Sequence, residues 1–416
     1  MNQLVKSHQF RLQTFSKLFS LLLVLVIVLV SFIMTGCSRP VMTAEQRTFL
    51  DLSLNYLGEY QLPKMEFKDT SVGGLSALTY DRQRDRFYVL SDDRSQLAPA
   101  RFYTLKLIVN SSEAGEIGIE EVKIEEVTFL KDENGNTFAQ GSIDPEGIAL
   151  SPKGTVFISS EGDISQGIAP SIREFDLETG QQIQSLRLPQ RYLPNDSSEE
   201  NQTPRGIQNN LGFESLSLEP IGLAGATGDP FRLFTATESA LFQDIPPKES
   251  EQSTEQETEQ PTRIRLMQYL VGDVAPPLLV TENLYLLDSP PEGAVANGLT
   301  DLVTLDTAGH FLSLERTYGL LGNGAKIFQL ATGGATDTSN IASLNAGISK
   351  IKPIKKQLLL NLTDQEVYLD NLEGISLGPR LADGSQSLLL VSDDNFREFQ
   401  VNQFILCKLT GLKTGR

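Results

Sequence analysis

Carboxylates recur at the two ends of paired apolar strands in five stretches of this 416-residue chain, and they are the side chains most able to do chemistry. The stretches are Ser71 to Ser95, Asp144 to Asp163, Asn210 to Ala240, Asn297 to Tyr318 and Asn371 to Phe396. Aligned, they place Gly73, Glu146, Glu214, Asp301 and Glu373 in one column and Asp92, Glu161, Glu238, Glu315 and Asp393 in a second. Asp93, Asp163 and Asp394 stand beside the second column. Two carboxylates about 4 Å apart repel by roughly 1 kcal/mol in water and by several times more at a partly buried site. Something must offset that repulsion. One explanation is structural: nearby Arg and Lys pair with the acids, and Asp caps loop amides. The other is Ca²⁺, a hard cation that takes many oxygens at a flexible site. The doublets Asp92-Asp93 and Asp393-Asp394 and the run Glu161-Gly162-Asp163 favour the second, because adjacent acids exceed what one Arg satisfies.

The elements that must position these acids are strands. Each repeat is an apolar strand, a turn and a second strand, and the start of the first strand of an antiparallel hairpin lies beside the end of the second. Both columns are therefore expected at one mouth of a repeat structure. A third strand opens on a basic residue in four repeats, at Arg101, Arg173, Arg265 and Lys326, with Asn402 in the fifth. Fourth strands are expected at Val122 to Leu130, Gln182 to Leu188 and Leu278 to Leu287. The pattern predicts an all-β fold, a β-propeller with five visible repeats and five or six blades. The first-column spacings of 73, 68, 87 and 72 residues leave room for a hidden sixth, since a four-stranded blade needs about 40 to 50. No fourth strand fits after the fifth repeat, so Leu54 to Leu62 is expected to close the ring with strands from both termini and leave no open sheet edge. Asp244 to Thr262 reads as a disordered surface insertion, and Asn195 to Asn210 looks alike.

The segments LSALTYDRQRDRFYVLSDD, DPEGIAL with FISSEGD, NLGFESLSL, and NLEGISL with LLVSDD resemble the phytase-like family, described as having "esterase-like activity of phytase". The resemblance covers about Tyr56 to Leu409. It implies a β-propeller related to calcium-dependent phytases, with a phosphoester bound at an acidic, calcium-lined mouth. It carries over onto Asp92, Glu146, Glu161, Asp163, Glu373 and Asp393. On this reading Asp92, Asp93, Asp163, Glu373, Asp393 and Asp394 hold Ca²⁺. Glu146 and Glu161 orient or deprotonate water, while Arg173, with Arg94 and Arg397 as substrate-binding residues, supplies charge to the phosphoryl group. Each Arg is also a candidate ion-pair partner for nearby acids. The expected function is a Ca²⁺-dependent phosphoesterase or esterase acting on a small molecule; the alternative is a non-catalytic propeller that binds a ligand or protein partner.

Other chemistries fit less well. Gly374-Ile375-Ser376-Leu377-Gly378 matches the Gly-x-Ser-x-Gly pentapeptide of serine hydrolases, but it lies inside an expected strand rather than at a strand-to-helix elbow. Beyond the leader the chain has a single histidine, His310, which argues against a triad, a histidine phosphatase and a multi-His zinc site.

Residues 1–36 read as a signal peptide: Lys6, Arg11 and Lys17 precede an apolar run, Leu18 to Met34. Met34-Thr35-Gly36-Cys37 resembles a lipoprotein processing box, which would leave Cys37 for lipidation, residues 37–52 as a linker and 53–416 as one domain. An uncleaved membrane anchor is the alternative. Either way the domain is expected to be extracytoplasmic, in the cell envelope, attached to the membrane; Ser38, which is not acidic, favours the outer membrane. Cys407 is then the only remaining thiol and is expected in the core. Setting aside the leader's three cations, 53 acids face 32 of the chain's 35 Lys and Arg, which disfavours nucleic acid as a partner.

Overall fold

The alternating apolar segments form five antiparallel sheets of four strands each, the blades of a propeller, in a computed structural model that describes residues 48–111, 117–195, 203–219, 229–246, 260–320, 322–345 and 347–412. Blade one comprises Leu75–Asp81, Arg86–Ser91, Arg101–Ser111 and Ile117–Phe129. Blade two comprises Pro145–Leu150, Thr155–Ser160, Ser171–Asp176 and Gln182–Ser185. Phe213–Leu218, Phe231–Thr237, Arg263–Val271 and Leu278–Leu286 make blade three. Ala294–Thr304, His310–Gly319, Gly322–Ala331 and Lys355–Asn361 make blade four. Blade five takes three strands from the C-terminal end of the chain, Asn371–Arg380, Gln386–Asp393 and Asn402–Thr410, and its outer strand, Ser53–Leu62, from the N-terminal side. The expected closure is present, with Ser53 opposite Thr410 and Leu62 opposite Asn402. Blade number is five. Among the described residues the only helical turns are short 3₁₀ turns.

The first strands face one another around the axis, and those of blades two and three are buried along nearly their whole length. Small residues let them approach. A Cβ at Gly374 would meet the backbone oxygen of Ser76 at 2.9 Å, and one at Gly147 would meet Ser159 Oγ at 2.6 Å and the backbone oxygen of Glu214 closer still. Five apolar clusters fill the seams between neighbouring blades. Cys407 is fully buried in the seam of blades four and five, as expected.

Two segments read as loose extensions are built into the fold at their edges. Asp244 is completely buried, and its carboxylate binds the Arg265 guanidinium at 2.6 and 3.0 Å and the Leu344 amide at 2.7 Å. The insertion therefore begins after Asp244; residues 247–259 lie outside the described residues. In the second segment Ile207 is buried in the seam of blades two and three, packed with Tyr192. The signal sequence, Cys37 and the linker to residue 47 also lie outside the described residues.

Candidate functional site

Hairpin geometry brings the acids to one mouth, and a bulge near the start of each first strand sets which residues get there. In blade three the pairing steps from Phe213–Thr237 to Ser215–Ala236 and leaves Glu214 in the bulge. The same step leaves Glu373 in blade five, Glu146 in blade two, Ser76 in blade one and Thr300 in blade four. Counting from this step, the strand-end positions are Asp92, Glu161, Glu238, Arg316 and Asp393. Blade four is thus one residue out of the register read from sequence, and a one-residue slip sends side chains to the other face. Asp301, placed in the first column, instead accepts backbone hydrogen bonds from Leu302 and Ile375 at 2.8 and 2.9 Å. Glu315, placed in the second, is turned toward Tyr285, Lys356 and the Asp288 amide. Gly73, in blade one, is replaced in its column by Ser76.

The centre of the mouth is a nest of three carboxylates. One oxygen from each of Asp92, Asp144 and Glu146 lies within 4.8 Å of the others. Asp144, in the segment that opens blade two, escaped the column alignment; its only sequence signal is its place two residues before Glu146. Arg94 Nε pairs with Asp144 Oδ1 at 2.6 Å, while Asp144 Oδ2 and Asp92 Oδ1, both buried, receive no hydrogen bond. Among the described residues no hydrogen bond reaches the carboxylate of Glu146 or Glu214, although both are more than nine-tenths buried. Glu161 accepts from the Gly212 amide. Across the ring, Arg316 binds Glu373 at 2.8 Å and Glu238 at 3.0 Å and also touches Asn371.

Burial with mutual repulsion makes these acids hold protons. Desolvation, reinforced by the Asp92 charge, raises Asp144 to about 8. Burial, with Asp144 and Glu238 nearby, raises Glu161 to about 8. Asp92 rises only to about 6 because Arg94 opposes the burial penalty, and Glu373 to about 7 because Arg316 does. Glu146, Glu214 and Asp393 are raised well above the usual carboxylate range, chiefly by burial. Such a set is stable when protons or cations take up its charge.

These residues fit a calcium-like ion. Oxygens that bind Ca²⁺ at about 2.3 to 2.6 Å sit up to about 5 Å from one another across the ion, and the nest has that spacing, with Asp92 Oδ1 and Asp144 Oδ2 accepting from no donor.

The chain belongs to the phytase-like family. The match to that family, described as "Esterase-like activity of phytase", spans residues 70–396. No curated protein matches. Among solved structures the chain is similar to the catalytic domain of the Coprinopsis cinerea GH62 α-L-arabinofuranosidase, with 12% identity, 86% of this chain and 97% of that one covered, and a TM-score of 0.35. It is similar to the endo-arabinase of Bacteroides thetaiotaomicron at 11% identity, 80% and 92% coverage and a TM-score of 0.37. The Dos1 propeller matches at 9% identity, 87% and 96% coverage and a TM-score of 0.29.

Within this phytase-like mouth Asp92, Glu146, Glu161, Glu373 and Asp393 come together, and Arg94 reaches it through Asp144. Five expected metal or charge residues do not join them. Asp93 accepts from the amides of Gln96, Leu97 and Ala98 and from buried Arg101 at 2.7 Å, so its lone pairs are spent on the loop. Asp394 is similarly filled by the Gly74 and Phe396 amides, Asn402 and Lys64. Asp163 is half-buried at the N-terminus of the 3₁₀ turn Ile164–Gln166, where it caps the Gln166 amide. Arg173 faces Ile158 rather than the strand end, and its guanidinium packs 5.1 Å from the Phe138 ring. Blade two offers Ser171 at the position of Arg101. Arg397 is exposed on the loop after Asp394. Arg316 was missed because alignment gave its place to Glu315. The serine-hydrolase alternative fails on geometry: Ser376 donates to the Leu377 carbonyl in mid-strand, and His310 Nδ1 lies 2.7 Å from Asp306 beside the turn at the other end of the blade.

Proposed function

We propose that this domain is a Ca²⁺-dependent phosphoesterase of the cell envelope, tethered through lipidated Cys37, with Asp92, Asp144 and Glu146 as the protein's ligands to the ion. The observation that carries the reading is the three-carboxylate nest with undonated oxygens. An anionic phosphoester is repelled by this mouth wherever its acids ionise, and a resident cation would offset that charge. Bound Ca²⁺ would supply positive charge to the phosphoryl oxygens.

The chain's own groups supply the rest. Glu161 has one oxygen fixed by the Gly212 amide and a second one free, and with its proton affinity raised to about 8 it can take a proton from water or give one to the leaving oxygen near neutral pH. Arg94 orients Asp144, and Arg316 fixes Glu238 and Glu373 on the opposite side of the ring. The test is turnover of a panel of phosphomonoesters and carboxylic esters by the mature protein, with Ca²⁺ and with chelator. Chelator-sensitive turnover is expected; calcium binding without turnover on any ester would favour a ligand-binding propeller. One observation favours that second reading: the two guanidiniums that reach the ring of acids, Arg94 and Arg316, are both engaged by carboxylates.

A further inference from the structure

The face opposite the mouth has its own chemistry. Third strands start at the mouth and run away from it, so the turn of residues 272–277, between the third and fourth strands of blade three, stands on the far face. Val274 at its tip is fully exposed. Leu270 and Leu278, directly paired across the hairpin, are 42% and 64% exposed, and Val280, in the bulge that follows between Leu279 and Thr281, is 47% exposed. Four apolar side chains thus form one patch running from strand to tip. Pro276 and Pro277 carry no amide hydrogen, so this tip presents fewer donors that would lose water on entering an apolar medium. The flank is polar, with Lys153 paired to Asp273.

The chain enters the propeller on this same face. Ser53 pairs with Thr410 at the far end of blade five, and Leu50 and Leu52 pack onto the seam of blades four and five. Only residues 38–52, fifteen in number, separate Cys37 from the first strand.

We infer that the blade three turn, with Leu270, Val274, Leu278 and Val280, rests on the lipid surface that holds Cys37, so that the acidic mouth opens away from the membrane. The inference depends on the anchor at Cys37 and not on the activity of the mouth. The tether leaves the domain from the far face, and the exposed apolar patch on that face gains by leaving water.

Labelling distinguishes the poses. Cys407 is buried and its thiol is pushed up to about 12, so a cysteine introduced at Val274, or at exposed Leu97 on the mouth-side loop of blade one, takes a bimane probe selectively. The full chain, expressed and processed in cells, is reconstituted into vesicles of phosphatidylethanolamine and phosphatidylglycerol. Nitroxide lipids should quench the Val274→Cys probe several-fold more than the Leu97→Cys probe, and aqueous iodide should show the reverse order. Equal quenching, or stronger lipid quenching at Leu97, overturns the proposed pose. Pyrene excimer emission from Val274→Cys in lipid-free detergent overturns it too, by showing a second copy on the patch. Mass analysis of the N-terminal peptide reads the anchor separately: an unmodified Cys37 removes the basis of this orientation while leaving the mouth to the chelator assay.

Discussion

Arg316 Nη1 lies 2.8 Å from Glu373 Oε1, joining the second strand of blade four to the first strand of blade five inside the ring of acids. Its other amine holds Glu238 of blade three at 3.0 Å. One cation, its side chain 16% exposed, therefore ties three blades together where their electrostatics would drive them apart. Removing one partner of a buried ion pair leaves the other charge unpaired, at a cost of about 3 to 5 kcal/mol. Arg316→Met should lower unfolding free energy by about that amount in urea titrations, and the double variant Arg316→Met/Glu373→Gln should recover part of it. Equal stability of Arg316→Met and wild type would show that the pair carries no such charge compensation.

Calcium affinity should follow the structural register rather than the sequence columns. Asp144→Asn, outside both columns, removes a charged ligand from the nest and should weaken Ca²⁺ binding at least about tenfold, corresponding to about 1.4 kcal/mol. Glu315→Gln, inside a sequence column but turned toward Lys356 and Tyr285, should leave calcium affinity unchanged and cost about 1 to 3 kcal/mol of stability. Isothermal titration calorimetry on both variants decides; the opposite ranking would put the ion elsewhere.

The contrast between Glu315 and Arg316 also marks what sequence could carry. Strand periodicity, the five repeats and the borrowed N-terminal strand were legible because each rests on period-two burial that survives local irregularity. The convergence of Asp92, Glu146, Glu161, Glu373 and Asp393 followed from hairpin direction alone. A bulge is not written in the alternation, so blade four slid by one residue and exchanged an acid for a cation. Asp93 and Asp394 were overvalued for a different reason. A doublet of acids has the same spelling whether the second lone-pair set meets an ion or loop amides, and here the amides of Gln96, Leu97 and Ala98 and of Gly74 and Phe396 take them. Asp144 was undervalued because nothing in its repeat requires it.

Close approach of the first strands gives a prediction at a residue with no chemistry. Gly147 has ordinary negative backbone geometry, so a side chain there is refused by space alone: its Cβ would meet Ser159 Oγ at 2.6 Å, Leu216 Cβ at 3.0 Å and the Glu214 backbone. Gly147→Ala should therefore destabilise by about 1 to 3 kcal/mol, the range for overpacking a close-packed interior. It should also weaken calcium binding, because Glu146 is adjacent to the displaced backbone. A gain in melting temperature, as expected where the only effect of Gly→Ala is on the unfolded chain, would contradict the packing.

The same ring predicts an inverted pH dependence. Asp92, Glu373, Asp144 and Glu161 hold their protons more tightly when folded, with values raised from 3.8 or 4.5 to about 6, 7, 8 and 8, by burial first. Between the unfolded and folded values the native state binds more protons, so this contribution to stability is fully present below about pH 4 and is lost as pH rises through about 8. Metal-free protein should lose on the order of 5 °C of melting temperature between pH 5 and pH 8. Added Ca²⁺ should restore it, and more strongly at pH 8, where protons no longer compete for the same oxygens. Differential scanning calorimetry in chelator and in millimolar Ca²⁺ measures both effects. A metal-free protein whose stability climbs over that interval, as it does for acids paired with cations, would mean that Arg94 and Arg316 already satisfy the mouth without an ion.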